Sequence, residues 1–264
     1  MKHIAKYWSI FQITLINSLA YPGELIGRSL MILPFMWIFF QLWKVTFHAA
    51  GTDSINGMTL YSTMWYLMMA ETIELSRPQL ARTISENVKD GSIAYILNKP
   101  YSFLLYQYST SLGETVFRAV SNAIFGSAIV WMVVGAPPNP KYWGLSIIAI
   151  FGTWTLNFCI SCLIGLAAFL VEDVNSFMLI YQKLVFILGG LMIPLQFYPD
   201  WLQAIAKALP FAAMLYGPSQ LFVAPSLELF VSVMTSQFIW IIICGGILTI
   251  AYQRGVKYLT VNGG

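Results

Sequence analysis

Residues 77–102 read RPQLARTISENVKDGSIAYILNKPYS, and this stretch decides how the rest of the chain is read. It is the longest polar run between two apolar ones, with Arg77, Arg82, Lys89 and Lys99 set against Glu86 and Asp90. The pattern predicts a short helix from Ala81 to Lys89, a turn at Asp90-Gly91 and a stop at Lys99-Pro100. Ile93, Tyr95, Ile96 and Leu97 follow the turn. Everything outside this stretch is mostly apolar, so it is expected to be an exposed connection between membrane-embedded helices.

Composition agrees. The 264 residues are 58% hydrophobic and 9% charged, with a mean hydropathy of +0.70. A soluble domain carries about 25% charged residues. The class is therefore a polytopic, all-α membrane protein. A net charge of +3 without a basic cluster excludes nucleic acid as a partner. Cys159, Cys162 and Cys244 all lie in apolar runs. Cys159-x-x-Cys162 has no other metal-type ligand nearby and reads as a pair of small packing residues. The start lacks a small-residue cleavage site, so no cleavable signal is expected.

Working outward, residues 1–22 read as an amphipathic helix lying on the membrane surface, its apolar stripe formed by Ile4, Trp8, Phe11, Leu15 and Leu19. Tyr21-Pro22-Gly23 ends it. A first span is expected at about 25–46, with Glu24 and Arg28 four apart, a kink at Pro34 and Lys44 snorkelling. A polar loop at 48–57 follows, then a second span at 58–76. After the 77–102 segment comes a third span at 103–135, one long or broken helix, too long for an upright crossing at ~1.5 Å per residue. Ala136-Pro-Pro-Asn-Pro140 ends it. The fourth and fifth spans are expected at 143–171 and 174–196, separated by a turn at Glu172-Asp173. Residues 196–226 are apolar but broken by Pro199, Pro210, Pro218 and Pro225. Two short re-entrant helices in the outer leaflet fit them, since irregular backbone survives at membrane depth only where protein or water covers it. A sixth span at 229–252 completes a single unit, 1–264, with both termini on one side. Lys2, Lys6, Arg77, Arg82, Lys89, Lys99, Arg254 and Lys257 against Lys44, Lys141 and Lys207 make that side cytoplasmic.

Several chemistries are missing. No G-x-x-x-x-G-K-[ST] binds a nucleotide, no H-E-x-x-H binds zinc and no G-x-S-x-G presents a serine nucleophile. The histidines are His3 at the terminus and His48 in the expected loop, so no metal site and no catalytic residue is assigned. Charges within spans carry more information, because each costs about 2.5–3.5 kcal/mol at mid-membrane on insertion scales. Glu71, Glu74, Glu114, Arg118 and Lys183 therefore need partners, water or an edge position. Two readings stand open. Glu71, Glu74, Glu114 and Arg118 form an ion-pair network joining the second and third spans, or each sits separately among headgroups. The tryptophans divide into Trp8, Trp43, Trp143 and Trp201 near expected interfaces, and Trp37, Trp65, Trp154 and Trp240 deeper, where packing is the default.

The layout resembles the membrane subunit of ABC type-2 export permeases. The shared features are the N-terminal amphipathic helix, six spans, the segment after the second span and the proline-broken region before the sixth. Local strings are similar too: Asp90-Gly-Ser-Ile-Ala94, Leu97-Asn-Lys-Pro100, Gly189-Gly-Leu-Met-Ile-Pro-Leu195, Phe197-Tyr-Pro-Asp-Trp201, Leu209-Pro-Phe211 and Gly217-Pro218. The resemblance implies two ATPase subunits that hold ATP and Mg, a second permease that is identical or a paralogue, and a multi-pass place in the bacterial cytoplasmic membrane. It implies no cofactor and no ATPase site in this chain. It also implies that about 80–99 contain a coupling helix, making Arg82, Glu86, Lys89, Asp90 and Gly91 the expected ATPase-coupling residues. Family members export chemically diverse substrates; apolar surface facing lipid favours an amphipathic or lipid-linked one. The competing reading is a self-contained secondary transporter or channel, against which stands the lack of an internal repeat.

Overall fold

The computed structural model describes residues 2–20, 23, 27, 29–138, 140–171 and 173–262. The expected Tyr21-Pro22 break and the Glu24–Arg28 pair lie outside the described residues. Helices dominate: α1 (Lys2–Ala20), α2 (Ile32–Ala50), α3 (Leu60–Leu75), α4 (Leu80–Lys89), α5 (Ser92–Leu97), α6 (Phe103–Val134) and α7 (Trp143–Leu166). They are followed by α8 (Asn175–Leu188), α9 (Asp200–Ala208), α10 (Pro210–Met214), α11 (Tyr216–Val223) and α12 (Leu227–Asn262). Among the described residues, three helical stretches are long and apolar enough to cross a membrane: Phe103–Val134, Trp143–Phe169 and Leu227–Lys257. Asn175–Leu188 is apolar but shorter.

Helix α3 is the axis of the bundle. Thr59 caps it reciprocally with Ser62, which fixes its first turn. Trp65, Tyr66 and Leu67 are fully buried, as are Met64 and Met68 on neighbouring faces. A helix buried all round is enclosed by other helices; here α2, α6 and α11 pack on it. The outer helices are inverted relative to a soluble protein. Ile38, Val120, Ile124, Phe238 and Ile242 point outward and stay exposed, while Asn122, Thr153, Asn157 and Gln237 are buried. Lipid covers such a surface without penalty, and interhelical hydrogen bonds hold the interior.

Several sequence expectations are revised. Helix α2 continues through Lys44 and His48 to Ala50, so His48 is helical. The loop beyond it is a minute antiparallel hairpin, Ser54–Ile55 with Met58–Thr59, the one β element among the described residues. Its turn is Asn56-Gly57, both at positive φ, the pair favoured in two-residue hairpins. Pro34 stands in the first turn of α2, just after a turn at Leu30-Met31, where its missing N–H is not needed. Helix α6 is one unbroken rod of 32 residues. Helix α8 stops at Leu188, shorter than expected, and α12 runs on to Asn262. The proline-broken region holds three short helices rather than two, because Pro210 begins α10 and Pro218 sits in the first turn of α11. Those prolines mark starts, not interruptions.

Helix α1 lies along α6. The approach is close at Gly113, where a Cβ would come within 2.9 Å of Thr14 Cβ. The expected apolar stripe divides. Phe11 and Leu15 turn toward α6, whereas Ile4, Trp8 and Leu19 are exposed. One side of α1 is thus packed on protein and another left for lipid.

Candidate functional site

The helical period of 80–89 segregates this segment's residues. Leu80, Ala81, Ile84 and Ser85 form the buried face of α4 and pack on the end of α7. Gly165 makes room for them: a Cβ there would lie 2.9 Å from Ile84 Cβ. Burying a side chain such as Ile84 contributes about 1.5–3 kcal/mol, so the apolar side of α4 fixes it to the bundle. The opposite face is charged and exposed. Arg82 Nε donates to Glu86 Oε1 at 3.1 Å, and Lys89 Nζ reaches Asp173 Oδ1 at 3.6 Å, across to the connection before α8.

The turn after α4 has a local chemical cause. Gly91 takes φ +78°, a left-handed conformation that costs an L-residue about 1–2 kcal/mol. Asp90 Oδ1 accepts the Ser92 N–H at 2.9 Å and starts α5. Hydrogen bonding from Ser92 holds the Asp90 carboxyl below the usual range; Asp173 is held low likewise, chiefly by the Asn175 N–H. The five residues Arg82, Glu86, Lys89, Asp90 and Gly91 thus share one exposed α4–α5 knuckle. The sequence reading gave Tyr95 no role. It is 70% exposed on that knuckle, with the Lys99 ammonium 4.6 Å from its ring centroid. Its place about half a helical turn from the buried Ile93 was the available signal.

Both chain ends gather at the same end of the bundle. Lys6 Nζ donates to the Pro100 carbonyl, and the Ser102 N–H donates to the Tyr7 hydroxyl at 3.0 Å. Phe103 stacks on Tyr252 of α12. At the opposite end the hairpin, the 136–142 connection and the broken region meet. There Asn56 Nδ2 donates to the Gln196 carbonyl and the Tyr61 hydroxyl to that of Ala136.

Behind the knuckle lies a half-buried polar layer. Arg77 pairs with Glu74 of its own turn, and Arg118 Nη2 pairs with Glu114 Oε2 at 3.0 Å. The link between α3 and α6 is made by Arg118 Nη1 donating to the Arg77 carbonyl at 3.2 Å and by Asn122 donating to Ser76 Oγ at 3.4 Å. Glu71 is buried, and no ion pair includes it among the described residues. The arrangement differs from a direct Glu–Arg bridge between helices: each arginine neutralises a carboxylate on its own stretch of chain. Arg77 also lies over the ring of Tyr181 at 5.1 Å, and the Tyr181 hydroxyl donates to Asn157 Oδ1 at 2.7 Å, which extends the layer to α7 and α8. A cavity of about 410 Å³ opens between this layer, α4 and α8. Lys183 is exposed on α8, over the Phe186 ring.

A second polar construction holds the broken region. Thr153 Oγ1 donates to the Met214 carbonyl, Ser146 Oγ to that of Pro218 and Gln237 Nε2 to those of Ala213 and Ala149. The Tyr66 hydroxyl donates to the Gly190 carbonyl at 2.9 Å. The carbonyls at helix ends, those of Gly190, Ala213 and Met214, are thereby satisfied from neighbouring helices, as apolar surroundings require.

The comparison with protein families decides the identity of this arrangement. The family model described as ABC-2 family transporter protein matches residues 12–263. The chain belongs to the ABC-2 transporter family. This ABC-2 protein is thus a multi-pass membrane permease of an ABC transporter, a type of subunit that associates with ABC ATPase subunits. No curated protein matches the sequence. Within the ABC-2 match fall the α4–α5 knuckle, the half-buried arginine layer and the broken region. Among the described residues no cluster of His, Cys, Asp or Glu is arranged to hold a metal, and the three cysteines are buried and unbridged.

Proposed function

We propose that this chain is the permease subunit of an ATP-driven exporter, and that the α4–α5 knuckle is where separate ATPase subunits dock. The observation that carries this is the knuckle itself. It presents Arg82, Glu86, Lys89 and Asp90 outward, is anchored by its apolar face to α7, and touches the start of α8 through Lys89 and Asp173. A push on it has a rigid path into the bundle. Two such permeases, identical or paralogous, form the translocation path between them, for an amphipathic or lipid-linked substrate. ATP and Mg reside on the partner ATPases.

In this reading α2, α3, α6, α7, α8 with the residues after it, and α12 are the six crossings. The end bearing α4–α5 and both termini faces the cytoplasm of a bacterial cell. The basic residues support that orientation: Lys6, Arg77, Arg82, Lys89, Lys99, Arg254 and Lys257 outnumber Lys44, Lys141 and Lys207. Movement starts at the knuckle when the ATPases close on ATP. The Arg77–Arg118 layer carries it to α3 and α6, and the path opens outward.

The test is a mild-detergent purification of the tagged chain with its partners identified by mass spectrometry and ATPase activity assayed. A co-purifying ATPase is expected, and Gly91→Leu or the double change Arg82→Glu, Lys89→Glu should uncouple ATP hydrolysis from transport while the permease stays folded. Full transport by these variants, or a chain that transports without an ATPase, overturns the reading.

A further inference from the structure

A second cavity, of about 350 Å³, lies on the other side of the Arg77 layer, between α2, α3 and α6. Its walls differ sharply in chemistry. Arg77, Arg118, Asn122, Gln79 and Ser29 give it polar walls; Met31, Phe35 and Leu75 give it apolar ones. Among the described residues no carboxylate lines it, although Glu74 and Glu114 neutralise the two guanidinium groups from elsewhere. A guanidinium fork suits the oxygens of a phosphate, and two guanidinium groups with an amide line this one cavity.

The apolar wall leads outward. Met31 and Phe35 are four residues apart at the start of α2, and they are 60% and 46% exposed. In a membrane protein such a surface faces acyl chains. In the membrane orientation proposed above, the chain reversal at 76–79 beside the polar part stands at headgroup level. A cavity with oxyanion donors at headgroup depth and a greasy opening toward lipid matches one ligand shape: a phosphate carried on an acyl chain.

We propose that this cavity binds the phosphate of an anionic phospholipid, with the phosphate on Arg77 and Arg118 and an acyl chain along Met31 and Phe35. A bound lipid would tie α2 to the α3–α6 junction. The site is separate from the α4–α5 knuckle, and it stands or falls independently of the ATPase.

Two variants test it in the purified full-length protein. Arg118→Gln keeps a donor toward the Arg77 carbonyl but removes the charge. Met31→Glu leaves the arginines untouched and places a carboxylate at the exposed mouth. Binding is read as the rise in Tm on titrating phosphatidylglycerol, phosphatidylcholine or inorganic phosphate into the detergent-solubilised protein, with native mass spectrometry counting retained lipid. The wild-type chain is expected to respond to phosphatidylglycerol and not to phosphatidylcholine. Each variant should weaken that response about tenfold or more, while Met31→Glu keeps its Tm in phosphatidylcholine. Equal responses to the two lipids, or an undiminished phosphatidylglycerol response in both variants, overturns the proposal. If inorganic phosphate alone reproduces the shift, the oxyanion site stands and the lipid as its source is overturned.

Discussion

Two regions of this protein depart from simple membrane helices, and they are built in opposite ways. In the broken region at 189–226, backbone carbonyls are held from outside by Tyr66, Ser146, Thr153 and Gln237, all buried. In the knuckle at 80–97, the polar contacts lie on the surface and mostly within the segment, such as Arg82 with Glu86 and Asp90 with Ser92. The first is held by tertiary hydrogen bonds that cannot be exchanged for water. The second is held by one apolar face and is wet everywhere else. The difference separates stability from mechanism: rigidity resides where the backbone is most irregular, and the part proposed to move is locally the most regular.

Gly190 and Gly91 offer the sharpest way to break that contrast, because their backbones are nearly alike at φ +73° and +78°. A Cβ at Gly190 would meet the Tyr66 hydroxyl at 2.8 Å, whereas one at Gly91 meets nothing within 4 Å. Gly190→Ala therefore adds a packing conflict of about 1–3 kcal/mol to the backbone strain, and should give the largest fall in detergent Tm. Next comes Gln237→Leu, which strands the Ala213 carbonyl at a cost of about 1–3 kcal/mol. Gly91→Ala should cost only the strain, about 1–2 kcal/mol. If Gly91→Ala lowers Tm as far as Gly190→Ala, the two regions are not built differently.

The exposed pairs sit at the lower end. Arg82→Glu combined with Lys89→Glu should leave Tm unchanged, since solvent-exposed pairs add little to stability. Smallest of all is the pH response of the turn. The Asp90 carboxyl titrates below its unfolded value, so its stabilisation is complete above the unfolded pKa and is lost as pH falls through the folded one. The protection factor of the Ser92 amide, its exchange relative to the unstructured rate at the same pH, should hold through the ordinary aspartate range and fall only below it. A loss of protection already above that range would show that the Asp90 cap does not hold the turn.

The knuckle was legible because its determinants are local. Amphipathic spacing from Leu80 to Lys89 and the Asp90-Gly91 pair specify helix and turn within a dozen residues, and helix α5 was missed only for its brevity. The broken region was legible as broken but not in detail. Pro210 and Pro218 look like interruptions in sequence, yet each occupies a first helical turn, where a missing N–H is harmless. Gln237 carried no signal at all, because its acceptors are 24 and 88 residues away. For the half-buried charges the letters showed that Glu74, Glu114 and Arg118 needed partners, but not that Arg77 would take Glu74 and lend its carbonyl to Arg118. The apolar stripe of α1 was legible as a face but not as divided: periodicity does not say whether protein or lipid covers it.

Helix α1 docks on a partner that does not yet exist when α1 is made. Tyr7 and its partner Ser102 are 95 residues apart, and the Gly113 contact lies further on. At a synthesis rate of about 5–20 residues per second, roughly 5–20 s pass before α6 even begins to emerge. During that interval α1 is a free amphipathic helix at the ribosome exit, with Ile4, Trp8, Phe11 and Leu15 all unburied by protein. The apolar side of α1 that stays exposed in the finished fold, with Ile4, Trp8 and Leu19, is therefore only the remainder of a larger apolar face that is open throughout that interval.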